Sequence, residues 1–188
     1  TVSFIDIVSS EGRVIAFEPF PDHVKSLEKL KLLNSAKNLT IEPYALSDIE
    51  ETLKFSVPFD GHSSGVGHLL RNNMDTSSKQ IDIECKTLDS YIGEKINVGM
   101  VFMDAEGSEL NIINGGKNFI EKHMPIIILE SAPKLLLRSG HTVKDLVSEI
   151  KLFGYEIYYM GSLSLKLMTS KEMNRKQNLV CIPKEKNN

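Results

Sequence analysis

Three apolar runs in the chain each close on a carboxylate: Val14-Ile15-Ala16-Phe17-Glu18, Val101-Phe102-Met103-Asp104 and Ile126-Ile127-Ile128-Leu129-Glu130. Runs of this length, rich in Val and Ile, predict strands buried on both faces. Helical patterns lie between and after them. Val24, Leu27, Leu30 and Leu33 predict an amphipathic helix over residues 22–34, with Asp22 as its N-cap after the breaks at Pro19 and Pro21. Val143, Leu146, Val147 and Ile150 predict a second helix. Thr142-Val143-Lys144-Asp145 opens it as a capping-box variant, and Gly154 stands where the chain should leave it. Strands separated by helices predict an α/β fold with a mostly parallel sheet.

The remaining pattern is less uniform. Residues 1–8 read as the end of a helix closed by Gly12. Residues 39–46 and 52–57 read as strands. Ile81, Ile83 and Cys85 alternate with Asp82, Glu84 and Lys86, the period of a half-exposed strand, here an antiparallel excursion at the sheet edge. Between them, residues 59–78 form a long Gly/Ser/Asn-rich loop, which is either functional or a surface loop without fixed structure. Ser108 is a candidate cap for a short helix carrying Leu110 and Ile113 inward. Residues 155–159 and 179–182 predict an antiparallel pair of strands.

Composition narrows the function classes. A chain of 188 residues is expected to form one domain around one core. Its net charge of −3, with acids and bases interleaved, gives no nucleic-acid footprint. No apolar run is long enough to cross a bilayer. The first ten residues carry Asp6 and no basic leader, so they do not resemble a signal peptide. Cys85 and Cys181 fall in strand-like segments and make no disulfide framework, so a reducing, cytoplasmic setting is expected. His62 and His68, at the Gly-rich loop, lack the companions of a metal site, and no metal ligand set is expected.

In an open parallel sheet, ligands sit outside the carboxyl ends of the strands. The pattern therefore places Glu18, Asp104 and Glu130 along one binding edge. A carboxylate accepts hydrogen bonds only, so Glu18 suits a vicinal diol. Asp104 and Glu106 are candidates for a general base, because neighbouring carboxylates raise one another's pKa toward neutrality. Either could instead cap the helix near Ser108. Glu130 could contact substrate hydroxyls or pair with Lys134 or Arg138. Glu109, in the first helical turn, reads as structural.

The segments Arg13-Val14-Ile15-Ala16-Phe17-Glu18-Pro19, Ala45-Leu46-Ser47-Asp48, Thr87-Leu88-Asp89 and Phe102-Met103-Asp104-Ala105-Glu106-Gly107-Ser108-Glu109, followed by Pro125-Ile126-Ile127-Ile128-Leu129-Glu130, occur in an order that resembles the FkbM family of S-adenosylmethionine-dependent methyltransferases. The resemblance implies a Rossmann-like class I sheet whose last strand is antiparallel. It implies Glu18 at the cofactor ribose, with Pro19 and Ala45 lining the adenine region. It further implies O-methylation of a hydroxyl on a sugar, glycan or secondary metabolite, with Asp104, Glu106 and Glu130 as the catalytic candidates.

One family feature is missing. The family's first strand ends in a turn of the type Asp-x-Gly-x-Asn-x-Gly, and no such turn occurs in the chain. The expectation is a methyltransferase-like domain that lacks its first strand through N-terminal truncation, or a relative that has lost the cofactor loop. Two other readings remain open: a Mg²⁺-assisted enzyme using the same carboxylates, and a non-catalytic binding module of the same fold.

Overall fold

The structure is a computed structural model, and it describes residues 2–8, 11–58, 67–70, 78–91, 96–161 and 164–184. The chain begins with helix α1 (Val2–Ile7), strand β1 (Val14–Phe17), helix α2 (Pro21–Leu33), and strands β2 (Leu39–Glu42) and β3 (Ala45–Leu46). Strands β4 (Glu51–Pro58), β5 (His68–Leu70) and β6 (Ser78–Lys86) follow, then helix α3 (Leu88–Tyr91). The second half runs β7 (Met100–Met103), α4 (Glu109–Asn114), α5 (Lys117–His123), β8 (Ile126–Ser131), α6 (Pro133–Arg138), α7 (Val143–Leu152), β9 (Tyr155–Met160), β10 (Leu165–Leu167) and β11 (Gln177–Pro183).

The strands form three hydrogen-bonded sheets where the sequence pattern predicts one. β1 and β2 make a parallel pair. A mixed sheet has the order β3-β6-β4-β5, and a five-stranded sheet has the order β10-β9-β11-β8-β7. In the last, β7 and β8 are parallel and β11 runs antiparallel to both β8 and β9. β9 therefore points the same way as β7 and β8, with β11 reversed between β8 and β9, as expected for the C-terminal strand.

The main core lies on one face of the five-stranded sheet. Ile113 and Ile120 from α4 and α5, Leu136 from α6, and Leu146 and Ile150 from α7 meet Ile127, Leu129, Ile157 and Leu179 there. The opposite face of β7 is more open: Met100 and Phe102 are 45% and 51% exposed. On that face α1 sets Phe4 against Phe102, with ring centroids 5.5 Å apart.

Among the strand edges that lack a ladder partner in the described residues are those of β7 and β1. The Ile126 amide donates to the Gly99 carbonyl, so Gly99 faces β8. Parallel ladders engage alternate residues, which turns the backbone groups of Met100 and Phe102 away from β8. On β1, Val14 and Glu18 donate to the carbonyls of Asn38 and Glu42, which leaves Ile15 and Phe17 facing outward.

Several local expectations change for identifiable reasons. The strand expected over residues 39–46 breaks at Pro43, which has no N–H to donate, and its two halves join different sheets. The alternating segment at Ile81 is not an excursion of the main sheet; β6 pairs antiparallel with β4 and parallel with β3. α2 starts at Pro21 with Phe20 as N-cap, and Asp22 pairs with Lys25 inside the first turn instead of capping. No residue of α2 is buried, and Leu30 and Leu33 are exposed. Of the expected long loop, residues 59–66 and 71–77, with His62, lie outside the described residues; β5 occupies part of the rest. The Thr142 capping box is present, and Gly154 follows α7 with a positive φ.

Candidate active site

The register of β7 against β8 pairs Met103 with Leu129, so the next residues, Asp104 and Glu130, stand side by side at the carboxyl ends of neighbouring parallel strands. Alternation puts both side chains on the more open face, opposite the buried Met103 and Leu129. Burial and then the neighbouring Glu130 charge raise the Asp104 carboxyl above its ordinary pKa, while Lys176 pulls the other way. Glu106 is also raised, first by burial, then by Asp104 and Glu130, with Lys176 and His68 opposing. The three carboxylates thus share one electrostatic environment. Among the described residues no three His, Cys, Asp or Glu side chains converge closely enough to hold a metal ion.

Glu130 pairs with neither Lys134 nor Arg138. The Lys176 ammonium takes that place, 2.9 Å from Glu130 Oε2. β11 explains how: Asn178 is registered with Glu130, and Lys176 lies two residues earlier, on the same side of an extended chain.

The turn carrying Asp104 and Glu106 is held from beneath. Glu109 is 2% exposed. Its Oε1 accepts from the amide of Ala105 at 3.0 Å and from that of Gly107 at 3.4 Å. Its Oε2 is buried without a hydrogen-bond partner among the described residues, and burial raises this carboxyl. Glu106 and Gly107 both have positive φ, and a Cβ on Gly107 would fall 2.4 Å from the Leu135 carbonyl oxygen. Ser108 occupies the N-cap of α4 without a side-chain capping bond. Neither Asp104 nor Glu106 makes a capping bond to α4 among the described residues; Glu109 satisfies the turn's amides instead.

The second part of the edge lies at the ends of β1 and β2. Glu18 Oε1 accepts from the Phe20 amide at 2.8 Å, and Oε2 lies 3.5 Å from His23 Nδ1. Each oxygen keeps a further lone pair, so the carboxylate remains able to accept from a diol. Pro19 beside it is half-buried. Ala45 is buried within the cluster of Phe55, Val57, Ile83 and Cys85, against which Phe20 packs. The Glu18 amide donates to the Glu42 carbonyl, so Glu42 is a fourth strand-end carboxylate. Its Oε1 accepts from the Tyr91 hydroxyl, and the rings of Phe17, Tyr44 and Tyr91 pack together around it. Burial and Glu42 push the Tyr91 phenol up to about 12.

Glu42 was legible in principle, because Leu39-Thr40-Ile41-Glu42 repeats the apolar-run-then-acid pattern; reading straight through Pro43 hides it. Lys176 and His68 carry no local signal for the site, since only tertiary register brings them to the turn. Two of the family-like segments hold the architecture. Asp89 accepts from the amides of Asn118 and Phe119 and so caps α5. Asp48 accepts from Asn111 Nδ2, and Asn111 Oδ1 meets His141 Nε2.

These features can be set against known proteins. No curated protein matches the chain. A crystal structure of methyltransferase FkbM from Methylobacillus flagellatus KT aligns with a TM-score of 0.54 at 17% identity, over 90% of this chain and 36% of that one. The chain thus spans about a third of the length of that protein, and the likeness establishes a common α/β fold. The family model of the methyltransferase FkbM domain matches residues 1–157, and the chain belongs to the FkbM methyltransferase family.

Proposed function

We propose that the chain is part of an S-adenosylmethionine-dependent O-methyltransferase with a Rossmann-like class I sheet, acting on a hydroxyl of a sugar, glycan or secondary metabolite. The observation that carries the reading is the side-by-side placement of Asp104 and Glu130 at the strand ends, with the carboxyls of Asp104 and Glu106 raised toward neutrality. A bound S-adenosylmethionine supplies an electrophilic methyl group. In this reading Glu18 accepts from the ribose hydroxyls, beside Pro19, with Ala45 behind them in the packing. Asp104 takes the proton of the acceptor hydroxyl, Glu106 supports it, and Glu130 accepts hydrogen bonds from neighbouring substrate hydroxyls. Alignment supplies much of the acceleration, and a positioned base adds about 10²–10⁴-fold.

We read the outward-facing backbone groups of Ile15, Phe17, Met100 and Phe102 as two sides of a slot for one more parallel strand. Such a strand, ending in a glycine-rich turn, would bring the backbone amides that the methionine part of the cofactor needs. The chain covers 36% of the matched structure, so a segment outside these residues is the proposed source.

The test is calorimetric titration of the 188-residue chain with S-adenosylmethionine, repeated after a segment carrying the family's first strand and turn is joined ahead of Thr1. Weak or no binding by the first and micromolar binding by the second is expected. Micromolar binding by the chain alone would remove the need for the extra strand, and no binding by either would sink the methyltransferase reading.

A further inference from the structure

The three carboxylates at the β7–β8 edge are not equivalent. Glu130 is engaged by Lys176 at 2.9 Å, with its side chain mostly covered, while the lysine remains largely exposed. Asp104 and Glu106 have no hydrogen-bond or ion-pair partner among the described residues. The lysine is placed by an architectural device, the antiparallel strand β11 inserted between β8 and β9, which returns the chain across the end of β8. We infer that Lys176 is a positioning residue of this edge: it fixes Glu130 as a standing counter-anion and leaves Asp104 and Glu106 as the groups that receive a proton. The inference deepens the methyl-transfer reading and rests on it.

The charged and titratable groups around the pair come from every neighbouring element. They are Asp104 after β7, Glu106 in the turn, Glu109 at the start of α4, Glu130 on β8, His68 on β5, and Lys176 before β11. Without the lysine, the four acids would face one another without its positive charge among the described residues. A proton would then bind them more tightly, and the pH at which Asp104 is an open acceptor would rise. In the transfer itself the acceptor O–H bond breaks, its oxygen bonds the methyl carbon, the carbon–sulfur bond electrons return to sulfur, and the proton goes to the carboxylate.

The experiment follows the side-chain carboxyl carbons of Asp104, Glu106 and Glu130 by NMR during a pH titration of the chain. Wild type is compared with Lys176→Met, Lys176→Gln, Lys176→Arg and Glu130→Gln. Removing the lysine charge in either neutral variant should raise the Asp104 and Glu106 midpoints by about half a pH unit or more, roughly threefold in proton affinity. Lys176→Arg should stay near wild type. Glu130→Gln should lower both midpoints, because a like charge is lost and the cation is released. Unmoved midpoints in both neutral variants, with amide spectra of a folded protein, would overturn the inference. The titration involves no methyl donor, so failure of the methyltransferase reading would show separately, in cofactor binding.

Discussion

Glu109 Oε1 accepts the backbone N–H of Ala105 at 3.0 Å, a bond that reaches four residues back along the chain. The same oxygen takes the Gly107 amide, so one buried carboxyl closes the turn that presents Asp104 and Glu106. A turn held this way depends on an acceptor oxygen more than on a charge.

Glu109→Gln retains that acceptor and Glu109→Ala does not. The alanine variant should lose about 1–3 kcal/mol, the cost of leaving buried amides unpaired, and the glutamine variant much less. The pH dependence has a definite sign. The native carboxyl is raised above its ordinary value of 4.5, so the folded state holds the proton more tightly than the unfolded chain. Stability from this group is present at acid pH and falls as pH rises from 4.5 through the raised native value. Denaturant unfolding across that range should show wild type weakening relative to Glu109→Gln; parallel curves would contradict the assignment.

Asp104→Asn, in a form of the protein that transfers methyl groups, should lower turnover by about 10²–10⁴-fold while changing cofactor affinity little. The rate in wild type should rise with pH through the raised Asp104 pKa and then level off, because the base works in its ionised form. S-adenosylhomocysteine release against a panel of hydroxyl acceptors reads both. Unchanged turnover in the variant would take Asp104 out of the chemistry.

Gly107→Ala should destabilise by about 1–3 kcal/mol from its positive φ alone. The new Cβ also meets the Leu135 carbonyl oxygen, so α6 must shift or the turn must open. Thermal unfolding checks the size. A midpoint equal to wild type would mean that this contact yields easily.

Thr142→Ala removes the hydroxyl that accepts from the Asp145 amide and should cost about 1 kcal/mol. Leu33→Lys, on the face of α2 that packs against nothing described, should change stability by less than about 0.5 kcal/mol. Equal losses in the two variants would show that α2 is covered in solution.

The sequence revealed elements whose signal is local. The apolar runs at Val14, Val101 and Ile126 became β1, β7 and β8, and the Thr142 box became a real cap, because burial and capping are written in a few adjacent residues. What lay out of reach depends on register and on chain breaks. Pro43 divides one apparent strand between two sheets, a choice made by which edge is open. α2 carries a clear apolar stripe, yet Leu30 and Leu33 remain exposed; spacing specifies a face without specifying what covers it. At the candidate site, Asp104 and Glu130 could be paired from the strand pattern alone. Lys176 could not, since its position depends on β11 turning back along β8. Glu109 was legible as structural, but its hold on the Ala105 and Gly107 amides was not, because that hold depends on two positive-φ residues in the turn.

The outward-turned edges of β1 and β7 bear on how the molecule comes apart. Among the described residues no backbone ladder joins the β1–β2 pair to the five-stranded sheet. The contact of Phe4 in α1 with Phe102 in β7 bridges that side through side chains. Such contacts loosen one at a time, whereas a ladder transmits strain along its whole length. Amides of β1 and β2 should accordingly exchange with solvent hydrogen sooner than those of β8 and β11, and melting should proceed as two unequal events.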